Sequence, residues 1–224
     1  MRQRICANLV LLGLLAMGSA AQASVSRGTM DTFDGGLLQG WVTGPNSPNP
    51  LVGVASGGPN GAADGYLLVS SSGNVGPGGR LIAFAGPQWL GDYVAAGVTT
   101  ISMQANNLGV SDLALRLSFR GPSLESAFSA QAVALPSGSG WSMVIFDITP
   151  SALSGNASVL GSVTEIRLYH STEAESFVTS PSIAASLGID NVTAVPEPQA
   201  WWLFGGGIAL VGVAVRRSRS SSFS

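Results

Sequence analysis

Short alternating apolar segments, separated by glycine-rich turns, are the feature that most constrains the fold of this 224-residue chain. In the clearest segment, residues 112–120, apolar side chains alternate with polar ones; the apolar set is Leu113, Leu115, Leu117 and Phe119. Alternation with a period of two over this length is typical of a β-strand with one buried face. We therefore expect these four side chains to be buried, with Arg116 and Arg120 exposed on the opposite face.

Other segments with the same β-like character follow one another along the chain. They are residues 51–55, 66–70, 80–84, 98–105, 129–135, 141–148, 165–169 and 187–193. Glycine, proline and asparagine clusters such as 57–61 and 76–79 have the composition of turns. Only 88–95 and 150–153 suggest a turn or two of helix, so the crossover helices of a parallel α/β fold are missing. The sequence predicts an all-β fold, an antiparallel β-sandwich (jelly roll) of about nine or ten strands.

The first 23 residues have the composition of a signal peptide. Arg2 and Arg4 precede an apolar stretch, and Ala21 and Ala23 form a small-x-small cleavage site, so the mature chain is expected to begin at Ser24. The alternative is an uncleaved N-terminal anchor. Because the single cysteine of the chain lies in this segment, a processed protein would contain neither disulfides nor cysteine metal sites.

The C-terminal segment contains a proline-rich motif, an apolar run and a basic cluster in that order. Residues 200–215 would form a helix of roughly 24 Å, which is short for a bilayer core of about 30 Å. Tryptophans at one end of the run and arginines at the other favour a transmembrane helix over a buried core helix. The arginines are expected to stay cytoplasmic, which places the preceding domain outside.

This arrangement resembles the PEP-CTERM sorting signal, which is recognised by an exosortase, a membrane cysteine protease-transpeptidase. The matching residues are Val195, Pro196, Glu197 and Pro198, then the apolar run, then Arg216, Arg217 and Arg219. The resemblance implies a sorting signal at 195–219, followed by a polar tail at 220–224. It also implies an exported protein that is transiently anchored in the inner membrane through its C-terminal helix, and then lies at the cell surface or outside the cell. Signal peptidase and exosortase are the expected processing partners.

Residues 24–194 remain for one sandwich domain. Its five arginines and eleven carboxylates give a formal charge of −6, and the chain has no lysine. Nucleic-acid affinity depends largely on basic side chains that neutralise phosphates, so this domain is not expected to bind nucleic acid.

Glycine-rich segments near both ends of this domain resemble those of galactose-binding-type jelly rolls, including carbohydrate-binding modules. The resembling segments are 33–36 with Trp41, 57–67, and 188–192. The resemblance implies a structural calcium ion that ties the first strand to the last, with Asp34, Asp64 and Asp190 as the expected ligands. The alternative is that Asp34 and Asp64 only cap turns beside glycine.

Four aromatic residues, Trp41, Trp89, Tyr93 and Trp141, are candidates for stacking on sugars, although large aromatics also fill sandwich cores. Catalysis has little support, because His170 is the only histidine and no Gly-x-Ser-x-Gly nucleophile motif is present. A carboxylate pair for glycoside hydrolysis would leave no sequence pattern. The leading hypothesis is therefore a non-enzymatic cell-surface or matrix protein, structural, adhesive or associated with exopolysaccharide. The alternatives are a dedicated carbohydrate-binding module and a secreted hydrolase on a jelly-roll scaffold.

Overall fold

Twelve β-strands and little helix make up the computed structural model, which describes residues 24–174 and 179–196. The strands are β1 (Met30–Asp31), β2 (Val52–Val54), β3 (Tyr66–Ser72), β4 (Ile82–Phe84), β5 (Val98–Asn107), β6 (Leu113–Arg120), β7 (Ser126–Ser129), β8 (Val133–Leu135), β9 (Ser142–Asp147), β10 (Leu153–Gly155), β11 (Glu165–His170) and β12 (Ala184–Pro196). The described part has one α-helix, α1 (Tyr93–Ala96), and 3-10 turns at Asp34–Gly36, Pro87–Trp89, Pro150–Ala152 and Ala157–Gly161.

The strands form two antiparallel sheets. Sheet A has the order β2-β3-β12-β5-β9, and β1 also pairs with β12. Sheet B has the order β10-β7-β6-β11-β4, and β8 also pairs with β6. The inner faces of both sheets supply the core, which includes Ile101 and Met103 from β5 and Leu187 and Ile189 from β12. Each such side chain contributes about 1.5–3 kcal/mol by leaving water.

The all-β prediction is confirmed, with more strands than expected. Strands β1 and β10 were not predicted because each has only two or three residues, too few to show alternation. The predicted strand at 129–135 is divided between β7 and β8, which pair with β6 at different points. The short helical turns were expected near the positions where they occur.

Strand β6 has the predicted register, but its outer face is more covered than expected. The four apolar side chains are 0–3% exposed, as predicted. Arg116, expected to be exposed, is only 4% exposed, and that prediction is wrong. Its guanidinium donates hydrogen bonds to the backbone carbonyls of Ser129, Ser171 and Thr172 at 2.6, 3.0 and 3.1 Å. The last residue of β7 and the two residues after β11 therefore cover Arg116 on this side of β6, while Arg120 is partly exposed.

Within the part of the chain that the structure describes, no helix has the length and apolar character needed to cross a membrane. The predicted signal peptide at 1–23 and the predicted transmembrane run at 200–215 both lie outside the described residues.

Candidate functional site

The first and last strands of the domain meet beside Asp190. Strand β1 pairs with β12 through Met30 and Thr193, and the pairing of β12 with β5 has a β-bulge between Asp190 and Thr193. Inside this bulge Asn191 has a φ of 51°. A bulge redirects side chains locally and is common near functional sites. The juxtaposition of the two ends of the domain, which the jelly-roll resemblance implied, is confirmed.

Asp190 is a fully buried carboxylate with an incomplete set of partners. Its Oδ2 atom accepts a hydrogen bond from Asn191 Nδ2 at 2.9 Å, while its Oδ1 atom has no partner among the described residues. The pKa of Asp190 is raised to about 7, mainly by burial and also by the negative charges of Asp64 and Asp34, against a lowering by a hydrogen bond from Asn191. An unpartnered buried oxygen is unusual in folded proteins and points to a missing proton or cation.

Asp34 and Asp64 lie near Asp190 but already have local partners. Asp34 Oδ2 accepts from Thr32 Oγ1, and Asp64 Oδ2 accepts from the backbone N–H of Asn60, both at 2.8 Å. The backbone brings them together, because a Cβ atom at Gly65 would lie 3.2 Å from Asp34 Cα and 2.6 Å from the Phe33 carbonyl oxygen.

Among the described residues, however, no group of three or more His, Cys, Asp or Glu side chains is arranged to hold a metal ion. The calcium site at Asp34, Asp64 and Asp190 therefore stays a prediction. Calcium binds six to eight oxygen atoms, which can come from carboxylates, backbone carbonyls and waters. To bind calcium here, the side chains of Asp34 and Asp64 would have to rotate toward Asp190, or carbonyls and waters would have to supply the other ligands.

Three of the four candidate sugar-stacking residues lie in the core. Trp41, Trp89 and Tyr93 are 2%, 1% and 0% exposed, which removes them from the candidate sugar contacts. Both indole N–H groups donate to Asp31 Oδ2 at 2.6 Å, and the Tyr93 hydroxyl donates to the Trp89 carbonyl oxygen at 2.8 Å. Their polar atoms are satisfied inside the protein, so burying the rings costs little.

Trp141 lies on the outer face of sheet A, where it packs edge-on against Tyr66. The two ring centroids are 5.3 Å apart, and Trp141 Nε1 donates to the Gly57 carbonyl oxygen at 3.1 Å. Both rings lie over Gly188 of β12, since a Cβ atom there would be 3.0 Å from Trp141 and 3.2 Å from Tyr66. Both residues are partly exposed. The missing side chain at Gly188 thus lets an aromatic pair rest on the sheet.

Uncharged polar groups continue this face on β5. Gln104 and Asn106 pair with Asp190 and Gly188, so they share the outer face with the aromatic pair. Both are partly exposed, and neither side-chain amide has a hydrogen bond to any described residue. The outward Met143 on β9, opposite Gln104, is 60% exposed. We call Tyr66, Gln104, Asn106 and Trp141 the sheet A platform.

Of these four residues, only Trp141 is a sugar-contact candidate from the sequence alone. The signal for Gln104 and Asn106 was present, because they occupy the polar positions of an alternating strand. Tyr66 was read only as the start of a strand. Asp31, which receives both buried indoles, had no sequence signal, since its donors are ten or more positions away along the chain.

His170 and two surface clefts are the next places to look for catalytic groups. His170 is 5% exposed on the inner face of β11, and its Nδ1 atom accepts the backbone N–H of Ala114 at 2.9 Å. Burial lowers the pKa of His170 below its usual range. One surface cleft runs between Thr43 and Arg80 and has no carboxylate in its lining. A second, beside β9, has only Asp147.

The predicted processing residues flank the sandwich. Ser24, the expected first residue of the mature chain, is the first described residue, and Val195 and Pro196 are the last two residues of β12. Ala21 and Ala23 lie outside the described residues. So do Glu197, Pro198, Arg216, Arg217 and Arg219.

Comparison with known proteins assigns the C-terminal segment and the fold. Residues 194–219 match the PEP-CTERM protein-sorting motif. This is an exosortase-type sorting signal, which implies an exported protein processed at the membrane. No curated protein has a sequence that matches this chain.

Several solved structures share the fold at low sequence identity. An exo-beta-agarase is 12% identical with a TM-score of 0.54, over 77% of this chain and 25% of that one. Another agarase is 11% identical with a TM-score of 0.52, over 77% and 26%. This chain thus spans about a quarter of each agarase. The family 11 carbohydrate-binding module of a Clostridium thermocellum cellulase is 12% identical with a TM-score of 0.48, over 77% and 96%.

Proposed function

We propose that this chain is a non-enzymatic surface or matrix protein that an exosortase processes, and that its sandwich binds neutral extracellular polysaccharide through the sheet A platform. The observation that carries the binding proposal is the platform itself. A partly exposed aromatic pair lies beside two side-chain amides that make no hydrogen bond to any described residue. A sugar ring can pack its C–H face on an aromatic ring, while amides both donate to and accept from its hydroxyl groups.

The charge distribution favours a neutral polysaccharide over an acidic one. None of the six strands of sheet A contains an arginine, whereas sheet B has Arg116 and Arg120 on β6 and Arg167 on β11. Carboxylate or sulfate groups of an acidic polymer would find no cation on the platform and would be repelled by the nearby acidic residues. The two agarases that share this fold act, by their names, on agar polysaccharide, which is consistent with this proposal.

The non-enzymatic part of the proposal rests on the environment of the titratable groups. Glycoside hydrolysis by two carboxylates needs them on opposite sides of a substrate cleft, about 5–10 Å apart. Each of the two clefts described above has at most one carboxylate in its lining. A secreted hydrolase remains the competing function, and release of reducing sugar from any polysaccharide that the protein binds would support it instead.

We also propose that calcium stabilises the junction of β1, β12 and the 57–65 loop. The support is the unpartnered Oδ1 atom of Asp190, with Asp34 and Asp64 close enough to act on its pKa. A bound cation would pair that oxygen and hold the carboxylate ionised. Asp190 pairs with Gln104 of the platform, so such an ion would lie on the same face of sheet A, next to the platform.

Affinity electrophoresis of residues 24–196 in gels containing neutral or acidic polysaccharides tests the binding proposal. We expect Trp141→Ala to weaken binding of a neutral polymer about tenfold, which corresponds to about 1.4 kcal/mol. Phe128→Ala is the matched control, because Phe128 is a partly exposed aromatic residue on sheet B. Equal retardation of the wild type and the Trp141 variant, or stronger binding of acidic polymers, would contradict the proposal while leaving export intact.

A further inference from the structure

The sorting motif and the sandwich share residues. The motif begins at residue 194, whereas β12 continues to Pro196. Ala194 is 1% exposed, and its N–H and carbonyl groups are bonded to Thr29 and Gly28, each at 2.9 Å. On the other side of the strand, Pro196 pairs with Val98 of β5. No linker therefore separates the folded domain from the Pro-Glu-Pro element, whose first proline is the last residue of a central strand.

This short connection limits how the processing enzyme can approach. An extended chain advances at most about 3.6 Å per residue, so two further residues cannot carry the motif more than about 7 Å from the end of β12. A stable protein interface commonly covers about 800 Å² on each partner. An enzyme that binds Pro196, Glu197 and Pro198 with a footprint of even part of that size must also meet the surface around the strand end.

Three chain segments form that surface, which we call the terminal pole. They are residues 24–29, residues 93–98 and residues 194–196, which contact one another through backbone and side-chain hydrogen bonds and strand pairing. Arg27 Nε donates to the Ala96 carbonyl oxygen at 2.9 Å, which ties the first segment to α1. Val94 of α1 is 68% exposed, and Arg27 is exposed beside this helix. The pole thus exposes the apolar side chain of Val94 and the guanidinium of Arg27. Val94 lies four residues before Val98, which pairs with Pro196.

Both ends of the domain leave from this pole. The N-terminal segment is held there by the Val25 N–H, which donates to the Leu90 carbonyl oxygen at 2.8 Å, and by the Gly28 bond to Ala194. The predicted signal peptide and the sorting segment therefore join the sandwich on the same side. A chain inserted in the membrane through its C-terminal segment must hold this side toward the bilayer, where a membrane enzyme acts.

We propose that the terminal pole is a docking surface for the membrane-embedded processing enzyme, which reads Pro-Glu-Pro together with Val94 and Arg27. The position of the motif argues for this occupant, because the enzyme binds a sequence that starts inside the pole. Recognition then includes the folded domain as well as the linear signal. This inference is independent of what the sandwich binds after release.

Pulse-chase processing of the full-length chain in cells that contain the exosortase tests the docking surface. We expect Val94→Glu to slow processing several-fold, because a carboxylate would replace an apolar contact. The matched control is Val110→Glu, since Val110 is 92% exposed in the turn between β5 and β6, at the opposite end of β5. Equal rates for these two variants would overturn the proposal.

A spacer separates docking from folding effects. Inserting Gly-Ser-Gly-Ser-Gly-Pro between Pro196 and Glu197 keeps the strand end and restores a Pro-Glu-Pro element beyond it. If the enzyme binds the terminal pole, the chain with the spacer should be processed as slowly as the Val94→Glu variant. Adding Val94→Glu to the chain with the spacer should then leave its processing rate unchanged. Such non-additivity is expected only when both changes remove the same interaction. If Val94→Glu slows processing of the chain with the spacer as much as it slows processing of the normal chain, the slowing comes from folding or from lipid contact. That result would overturn the proposed docking surface.

Discussion

Asp31 shows how one buried carboxylate organises the N-terminal part of the sandwich. It is 3% exposed, and it accepts hydrogen bonds from Trp41 Nε1, Trp89 Nε1 and Gln88 Nε2 at 2.6–3.0 Å. Three donors compensate much of the cost of burying the charge. This carboxylate links β1 to two segments that have no strand pairing with it.

Removing that carboxylate should be strongly destabilising. Asp31→Ala would leave two buried indole N–H groups without an acceptor, at about 1–3 kcal/mol each. We expect the free energy of unfolding of residues 24–196 to fall by about 3 kcal/mol or more in urea denaturation. Asp92→Ala is the matched control, because Asp92 is exposed and only caps α1, which is worth about 1 kcal/mol. Equal losses in both variants would contradict the role of Asp31.

Asp190 should make the stability of the sandwich depend on pH. Its pKa is about 7 in the folded protein and 3.8 without the fold, so between these values only the folded state holds the proton. The free energy of unfolding should therefore fall as the pH rises from about 4 to about 7.

Urea denaturation in chelator at several pH values, with Asp190→Asn as the comparison, measures that contribution. The variant cannot titrate at this position, so its stability should fall less over the same range. His170 has a lowered pKa and acts in the opposite direction, but it does so in both chains and cancels in the comparison. Identical pH profiles would exclude a raised pKa at Asp190.

Among the elements, β6 shows both the success and the limit of sequence patterns. Its alternation correctly predicted which side chains enter the core, because successive side chains of a strand point to opposite faces. It did not predict that Arg116 is buried, because the carbonyls that receive its guanidinium come from residues 129, 171 and 172. Local alternation identifies the inner face, while distant segments decide whether the outer face meets water.

The junction of β1, β12 and the 57–65 loop is the element where calcium can be tested. A ligand that binds only the folded state stabilises it by about 2.7 kcal/mol at a hundredfold excess over Kd. We expect melting curves of residues 24–196 to shift upward in calcium, and the shift to be absent in Asp190→Asn and reduced in Asp34→Ala. Asp112→Ala, at an exposed aspartate outside this junction, should keep the full shift. Superimposable wild-type curves in calcium and in chelator would leave the aspartates as turn residues.

At the scale of the whole domain, the described residues form a sandwich whose two ends meet at one pole, where the sorting motif begins. This arrangement follows from the pairing of the first strand with the last, which places residues 24–29 next to residues 194–196.

The basic cluster should control retention and processing of the complete chain. Replacing Arg216, Arg217 and Arg219 with serine would remove the charges that we expect to stay cytoplasmic and to orient a C-terminal membrane segment. We expect the membrane-bound fraction and the processed fraction to fall severalfold, measured by cell fractionation and immunoblotting. Alanine at Ser220, Ser221 and Ser222 is the control, because it changes the same tail without changing charge. Unchanged processing of the serine variant would show that these arginines are incidental.

The sequence by itself determined the all-β class, the inner face of β6, the inward position of His170, and the sorting motif. Each of these depends on residues that are neighbours along the chain, where alternation and composition are directly visible. It also supplied the three aspartates near the bulge, although only as a resemblance.

Only the tertiary structure decided which aromatic residues reach the surface, that Asp31 receives two indoles, and that Gln104 and Asn106 lie beside Trp141. It also decided that the sorting motif begins inside a central strand. These features depend on contacts between residues far apart along the chain, such as Asp31 with Trp89. A side chain's burial is set by whichever distant segment packs over it, and the pattern around the residue does not record that segment.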